Sequence, residues 1–312
     1  MEHQFRDEAQ RRAALTESER GKILAIDATF QAITKATYFD NYDLPCPIRV
    51  EVETKGNKSA TVVLRKARHG DVDVEVAVFR ALKEFGLPVP EILSGPFRNE
   101  DDEPVAVYSL LEGESLQHLS MRSEDGLHEA KGLLIQAVLE LLNTSRFIAD
   151  HEASKLFPRR TLLSELESVK RTPTAWHNAE IFQSAMKHLQ GILPSIRTPL
   201  VFSNGDYQPG NFLARNGELT GFLDFESVSF QDPLMGFVKY PIYDLHPLSK
   251  TDVVEMFLDA MNFSQRDFSI RVALGCLKTL QKEIPFIQGN GETHRYRDRV
   301  LALLESALTE WV

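Results

Sequence analysis

One stretch restricts the fold more than any other. "LVFSNGDYQPGNFLARNGELTGFLDFE", residues 199–226 with its leading proline, reads as strand and tight turn inside a half of the chain otherwise patterned as helix. Asn216-Gly217, between "FLAR" and "ELTGFLDF", is a strong signal for a two-residue hairpin turn. Pro209-Gly210 denies the preceding segment any regular helix or strand. Asp206 therefore stands at a strand-to-loop junction, where a carboxylate can project and accept a proton. Asn211 stands where the loop enters the next strand, and its neutral carbonyl oxygen suits a hard cation. A folded hairpin carries Asp224 back towards Asn211 and Asp206. One base, one amide and one carboxylate converging is what metal-assisted phosphoryl transfer requires.

The rest of the chain divides around this segment. Residues 17–37 read as a helix through Ile23, Leu24, Ile26, Phe30 and Ile33. "PIRVEVETKGNKSATVVLRKAR" reads as a hairpin turning at Lys55-Gly56-Asn57-Lys58. "DVDVEVAVFRALKEFGLPV" has helical spacing and stops at Gly86. "EPVAVYSLLEGESL" is an apolar strand leaving into a polar connector. Helices follow at 126–148, 160–171 and 176–191, and three more close the chain at about 250–262, 265–283 and 291–309. Ser264 with Asp267 resembles a capping box for the middle one. The expected class is α+β and bilobal, with a small β-rich lobe over 1–111 and a larger, mainly helical lobe over 112–312.

Composition limits the function. Charged residues make up 26% and the net charge is −10, which argues against a nucleic-acid partner, since phosphate contacts need clustered Lys and Arg. No apolar run reaches the roughly 18–20 residues of a membrane span, so no membrane partner is expected. The charged start "MEHQFRDEAQRRAALTESER" lacks the apolar segment of a secretion signal. Cys46 and Cys276 match no metal-ligand spacing, and a cytoplasmic location is the simplest expectation. Oligomeric state is not legible.

With "NGDYQPGN" and "LDFE" in view, the chain resembles the aminoglycoside phosphotransferase family, relatives of choline kinase and, more distantly, of protein kinases. The family pattern runs His-Gly-Asp, four residues, Asn, then a hairpin ending in Asp-(aromatic)-Glu. The resemblance spans about residues 45–245 and implies a protein-kinase-like fold. It makes Asp206 the catalytic base, gives Mg²⁺ to Asn211 and Asp224, and brings Glu226 to the substrate or the loop. "QDPLMGF" resembles the family's Asp-Pro segment, with Asp232 a structural cap. In "TVVLRKAR" the phosphate-binding cation is Arg65, favoured by register, with Lys66 as the alternative. Glu75, in "VEVAVFRALKEFGLPVPEIL", would pair with that cation. "YSLLEGESL" looks like the interlobe hinge, whose backbone around Ser109 to Leu111 would bond the adenine.

Two departures stand out. Asn204 replaces the family's His, a change expected to weaken bracing of the loop while sparing the chemistry. No glycine-rich loop precedes "VEVET". The expected function is an ATP-dependent (or GTP-dependent) kinase of a small-molecule hydroxyl. A cationic, aminoglycoside-like acceptor is suggested by Glu226, Asp244, Asp252 and Glu255, while choline-like, sugar and amino-alcohol acceptors stay open. Tyr240, Tyr243 and Asp244 are candidates to border the acceptor. Two other classes are a non-catalytic binding protein on the same fold and a metal-dependent hydrolase built on the carboxylates, the latter disfavoured by the lack of any His-x-His or clustered-ligand pattern.

Overall fold

The computed structural model describes residues 11–39, 47–66, 72–172, 174–243, 245–281 and 296–310. The chain forms two compact units. The first comprises the chain up to Glu114 together with Asp150–Leu156 and Leu213–Ser227, and the second comprises Ser115–Ala149, Phe157–Phe212 and Val228 onward. Sequence gave no sign that the later segments rejoin the first unit.

The first unit begins with helix α1 (Glu17–Leu24), opened by a capping box in which Thr16 and Glu19 each bond the other's backbone N–H. Strands β1 (Phe30–Tyr38), β2 (Ile48–Thr54) and β3 (Lys58–Lys66) follow, then helix α2 (Val72–Phe85) and strands β4 (Ile92–Arg98) and β5 (Pro104–Ser109). They make one antiparallel sheet of order β1-β2-β3-β5-β4. At the β2–β3 turn both Gly56 and Asn57 have positive φ, the conformation that matches a tight hairpin to strand twist. Ile48, Val50, Val52, Val62, Leu64, Val105 and Val107 line one face and pack with Ile23 of α1, which is fully buried. Each such side chain contributes about 1.5–3 kcal/mol when removed from water.

The expected helix over 17–37 is wrong beyond residue 24. β1 carries irregularities between Phe30 and Ala32 and between Ile33 and Lys35. These shift the period-2 alternation, so Phe30 and Ile33 fall three apart, as on a helix. The β-branched and aromatic content of "FQAITKATY" was the signal for a strand. β4 also went unread, because Gly95-Pro96 interrupts it. Proline is tolerated there because β4 is an edge strand.

Along the chain, β6 (Glu114–Ser115) leads into α3 (Leu116–Arg122), α4 (Glu124–Asn143) and α5 (Ser145–Asp150). Strand β7 (Arg159–Arg160) and helices α6 (Leu162–Arg171) and α7 (Glu180–Ile192) come next, followed by β8 (Val201–Ser203). Among the described residues one helical stretch, Glu124–Asp150, which begins with α4, has the length and hydropathy of a membrane span. Its apolar residues Ala130, Leu134, Ala137, Val138 and Leu141 are fully buried inside the protein, which makes it a core helix.

The quoted hairpin forms as β9 (Phe212–Arg215) and β10 (Glu218–Phe222), with positive φ at both Asn216 and Gly217. Strand β11 (Ser229–Gln231) runs between β7, parallel, and β8, antiparallel. Helices α8 (Lys239–Ile242), α9 (Val253–Met261), α10 (Gln265–Gln281) and α11 (Arg297–Glu310) complete the chain. Ser264 and Asp267 do form the expected cap: Asp267 N–H donates to Ser264 Oγ at 3.1 Å, and Ser264 N–H to Asp267 Oδ2 at 3.0 Å.

Candidate functional site

Asp206 sits just beyond β8, in a turn that the sequence builds from its own side chains. Asn204, 1% exposed, accepts the Asp206 N–H on Oδ1 at 3.2 Å. Gly205 takes the left-handed conformation that lets the chain reverse, and its N–H donates to Ser203 Oγ at 3.0 Å. Asn211 closes the far side by donating Nδ2 to the Asp206 carbonyl at 3.0 Å. That bond uses the amide nitrogen; Oδ1 is the atom a hard cation would use.

Asn204 thus does half of the bracing expected at this position. Its Oδ1 accepts, while its buried Nδ2 has no hydrogen-bond partner. An orphaned buried donor costs about 1–3 kcal/mol.

The turn is held from below by aromatic packing. Tyr207 is fully buried, edge-on to Phe237 with ring centroids 5.2 Å apart, and its carbonyl accepts the Tyr240 hydroxyl at 2.8 Å. Tyr240 is itself buried, so it belongs to the turn's foundation and not to an acceptor surface. Tyr243 packs edge-on to Tyr296 at 5.2 Å. Asp244 lies outside the described residues.

Gly236 gives Tyr207 its space: a Cβ there would stand 2.3 Å from the Tyr207 ring. Gly236→Ala is expected to destabilise the fold by about 1–3 kcal/mol, the usual cost of overpacking. Chemical denaturation with an unchanged slope and a lower midpoint would register it. A midpoint equal to that of the wild type would mean the ring can move aside.

The Asp206 carboxylate has close partners of its own. Gln208 donates Nε2 to Oδ2 at 2.7 Å and its N–H to Oδ1 at 3.3 Å. Lys239, the first residue of α8, forms an ion pair with Oδ2. Sequence reasoning passed over Lys239, because only the fold brings residue 239 to residue 206.

The first unit holds a second constellation. Alternation along β3 sends Arg65 and Lys66 to opposite faces. Lys66 turns towards α1 and pairs with Glu103 at 2.7 Å and the fully buried Glu19 at 3.2 Å. Arg65 turns towards α2, where its Nε lies 3.2 Å from Glu75 Oε2. Its Nη2 reaches Glu226 Oε1 at 2.8 Å and Asp224 Oδ1 at 3.3 Å. Phe225 fixes that last pair: it is fully buried, edge-on to Phe79 at 5.6 Å, and its two acidic neighbours project from the chain on either side of it. Asp224 has a φ of 58°, a left-handed conformation that Asp tolerates better than most residues.

Burial works against the Arg65 charge, but the carboxylates of Glu75, Asp224 and Glu226 outweigh it and hold the guanidinium more firmly cationic. Glu75 is raised above the ordinary carboxyl range, chiefly by its burial. Its Oε2 accepts the Tyr108 hydroxyl at 3.2 Å, while Oε1 is buried without a partner. Three carboxylates around one guanidinium leave excess negative charge, and Asp224 is the most open of them at 44% exposure. An exposed hard oxygen donor in such a field fits Mg²⁺.

The supposed adenine contacts are only partly free. The Ser109 N–H donates to the Glu91 carbonyl at 2.9 Å, and the Glu91 N–H donates back to Ser109 Oγ at 2.9 Å. Leu111 packs beside Gly221 of β10, where a Cβ would meet its side chain at 2.8 Å. Residues 40–46, between β1 and β2 in the sequence, lie outside the described residues.

The profile of the phosphotransferase enzyme family (APH) matches residues 49–246, well over half of the chain. The chain belongs to the phosphotransferase enzyme family. The APH match takes in Arg65, Glu75, Asp206, Asn211, Asp224 and Glu226. Among solved structures, a thermostable mutant of aminoglycoside phosphotransferase APH(4)-Ia, in a ternary complex with ADP and hygromycin B, is similar with a TM-score of 0.66 at 15% identity. That likeness covers 92% of this chain and 97% of the other. APH(2")-IIIa with GDP and kanamycin gives 0.62 at 14% identity, covering 93% and 98%. LicA with AMP gives 0.59 at 14% identity, covering 95% and 99%. At such identities the likeness establishes the protein-kinase-like fold of these phosphotransferases. No curated protein matches the chain.

Proposed function

We propose that this APH-family chain is an ATP-dependent phosphotransferase acting on a hydroxyl group of a small molecule, with Asp206 as the base. The observation that carries this reading is the braced Asp206–Asn211 turn within the segment matched to the phosphotransferase family. Nucleotides in the similar structures, ADP and GDP among them, support ATP or GTP as phosphoryl donor.

The acceptor hydroxyl gives its proton to the Asp206 carboxylate as its oxygen forms a bond to the γ-phosphorus. The bond from that phosphorus to the β–γ bridging oxygen breaks, and the nucleoside diphosphate leaves with the electron pair. Bound Mg²⁺ supplies neutralisation of phosphate charge, and Asn211 and Asp224 are the residues that would hold it. Arg65, oriented by Glu75, offers planar donors suited to phosphate oxygens. Gln208 fixes the plane of the base through both carboxylate oxygens.

Nucleotide binding tests this reading most directly. MgATP at a hundred times its dissociation constant should stabilise the wild type by about 2.7 kcal/mol. A thermal-shift comparison should find that stabilisation absent from Asp224→Ala. Equal shifts in both proteins would remove Asp224 from the metal site. No shift in the wild type with MgATP or MgGTP would instead favour a non-catalytic binding protein, the reading suggested by the replaced His at Asn204.

A further inference from the structure

We infer that Lys239 makes the acceptor site selective by charge, so that the hydroxyl compound it takes is neutral or anionic and not a polycation. The inference rests on Asp206 being the base, as proposed above, and concerns what the base's immediate surroundings admit.

The Lys239 ammonium is paired with Asp206 Oδ2 and is the more open member of the pair, 38% exposed against 15% for the carboxylate. It is fixed there by the fold. Lys239 opens α8, whose next residue, Tyr240, is buried and bonded to the Tyr207 carbonyl beside Asp206. A base must lie within hydrogen-bond reach of the hydroxyl it deprotonates. Any substituent next to that hydroxyl is therefore also within a few ångströms of Lys239 Nζ. An ammonium there meets like charge, while a carboxylate or phosphate meets a donor suited to a charge-assisted bond.

Of the acidic residues that suggested a cationic acceptor from the sequence, Asp244 lies outside the described residues. Asp252 is paired with Lys131 at 2.6 Å, and Glu226 with Arg65 at 2.8 Å. Glu255 is exposed on α9.

The test uses the full chain and three sugars that differ in charge: kanamycin, glucose and glucose 6-phosphate. Dissociation constants are measured by ligand-detected NMR titration, with and without MgAMP-PNP. The proteins are wild type, Lys239→Gln, Lys239→Glu and, as a control of net charge, Lys187→Glu on the exposed side of α7. Wild type should bind glucose 6-phosphate more tightly than kanamycin. Reversing the charge at 239 should invert that preference, tightening kanamycin about tenfold after allowance for solvent screening. Lys187→Glu should do neither.

A wild type that binds kanamycin best, with Lys239→Glu changing nothing, would overturn the inference. So would a Lys239→Gln variant that loses MgAMP-PNP affinity while all three sugars bind as before, since the lysine would then serve the nucleotide. Failure of every sugar to bind any variant would overturn it too, because a charge-selecting site must respond to charge. The thermal shift with MgATP is independent of these titrations. A normal nucleotide shift with no charge preference sinks this inference alone, whereas no nucleotide shift sinks the kinase reading.

Discussion

Asp206→Asn is expected to cut turnover by roughly two to four orders of magnitude, the span usual for losing a general base, while MgATP binding stays nearly intact. The isosteric amide keeps the local frame, because the bonds that hold this turn run largely through backbone. The Asp206 N–H still donates to Asn204 Oδ1, and its carbonyl still accepts from Asn211 Nδ2. What changes is the acceptor capacity of the side chain and its attraction for Lys239. Single-turnover kinetics with any accepted hydroxyl compound, beside a nucleotide thermal shift, separate the two effects. Turnover equal to wild type would remove Asp206 from the base role, and a lost nucleotide shift would mean that the turn itself had collapsed.

The second large effect concerns stability. Arg271, on α10, is fully buried, and its partner Asp232 is 2% exposed. The guanidinium donates Nη2 to Asp232 Oδ2 at 2.7 Å and Nε to the same carboxylate at 3.2 Å. It also donates Nη2 to Thr198 Oγ1 at 2.8 Å and Nη1 to the Asp267 carbonyl at 3.0 Å. Arg271→Leu leaves the Asp232 charge buried without its cation, and removing one partner of such a pair costs about 3–5 kcal/mol. Urea denaturation should show a midpoint lowered accordingly. The double variant Arg271→Leu, Asp232→Asn should recover part of the loss, because the amide oxygen can still accept the Leu234 N–H that Asp232 Oδ1 accepts at 3.0 Å. A single variant as stable as wild type would show that water reaches the carboxylate.

That pair also illustrates how the Asp-Pro segment works. From the sequence, Asp232 is a cap. Its Oδ1 accepts the Leu234 N–H two residues on and so closes a turn, while the short helix that follows starts from Leu234, and Asp232 is the anchor by which α10 holds the segment that leads to Gly236 and Lys239. Through Tyr207 and Tyr240 the same segment supports the catalytic candidate. The Asp206 turn is therefore supported by a segment anchored to a buried ion pair far from it in sequence.

Much of the site was legible in one strand-turn-hairpin segment, because its chemistry is local. Turn geometry is set within a few residues, so Asn216-Gly217 announced its hairpin, and Pro209-Gly210 placed Asp206 and Asn211 at the two ends of a short loop. The Gly56-Asn57 turn and the Ser264–Asp267 cap were readable for the same reason. The division into a β-rich and a helical part followed from period 2 giving way to period 3.6.

Tertiary structure alone decided the rest, wherever an answer depended on what lay across the fold. β1 passed for helix because its irregularities break the alternation, and only pairing with β2 reveals it as strand. The choice between Arg65 and Lys66 was left open by adjacency. Which of the two meets Glu75 depends on which face of β3 carries α1 and Glu19 and which carries α2 and Glu75. Lys239 and Arg271 carry no local signature, since a lone cation on a helix reads as solvated surface until its partner is known. The sequence determined the short-range geometry of the reacting groups; packing between distant segments determined the charges around them, because electrostatic partners are chosen by distance in space and not along the chain.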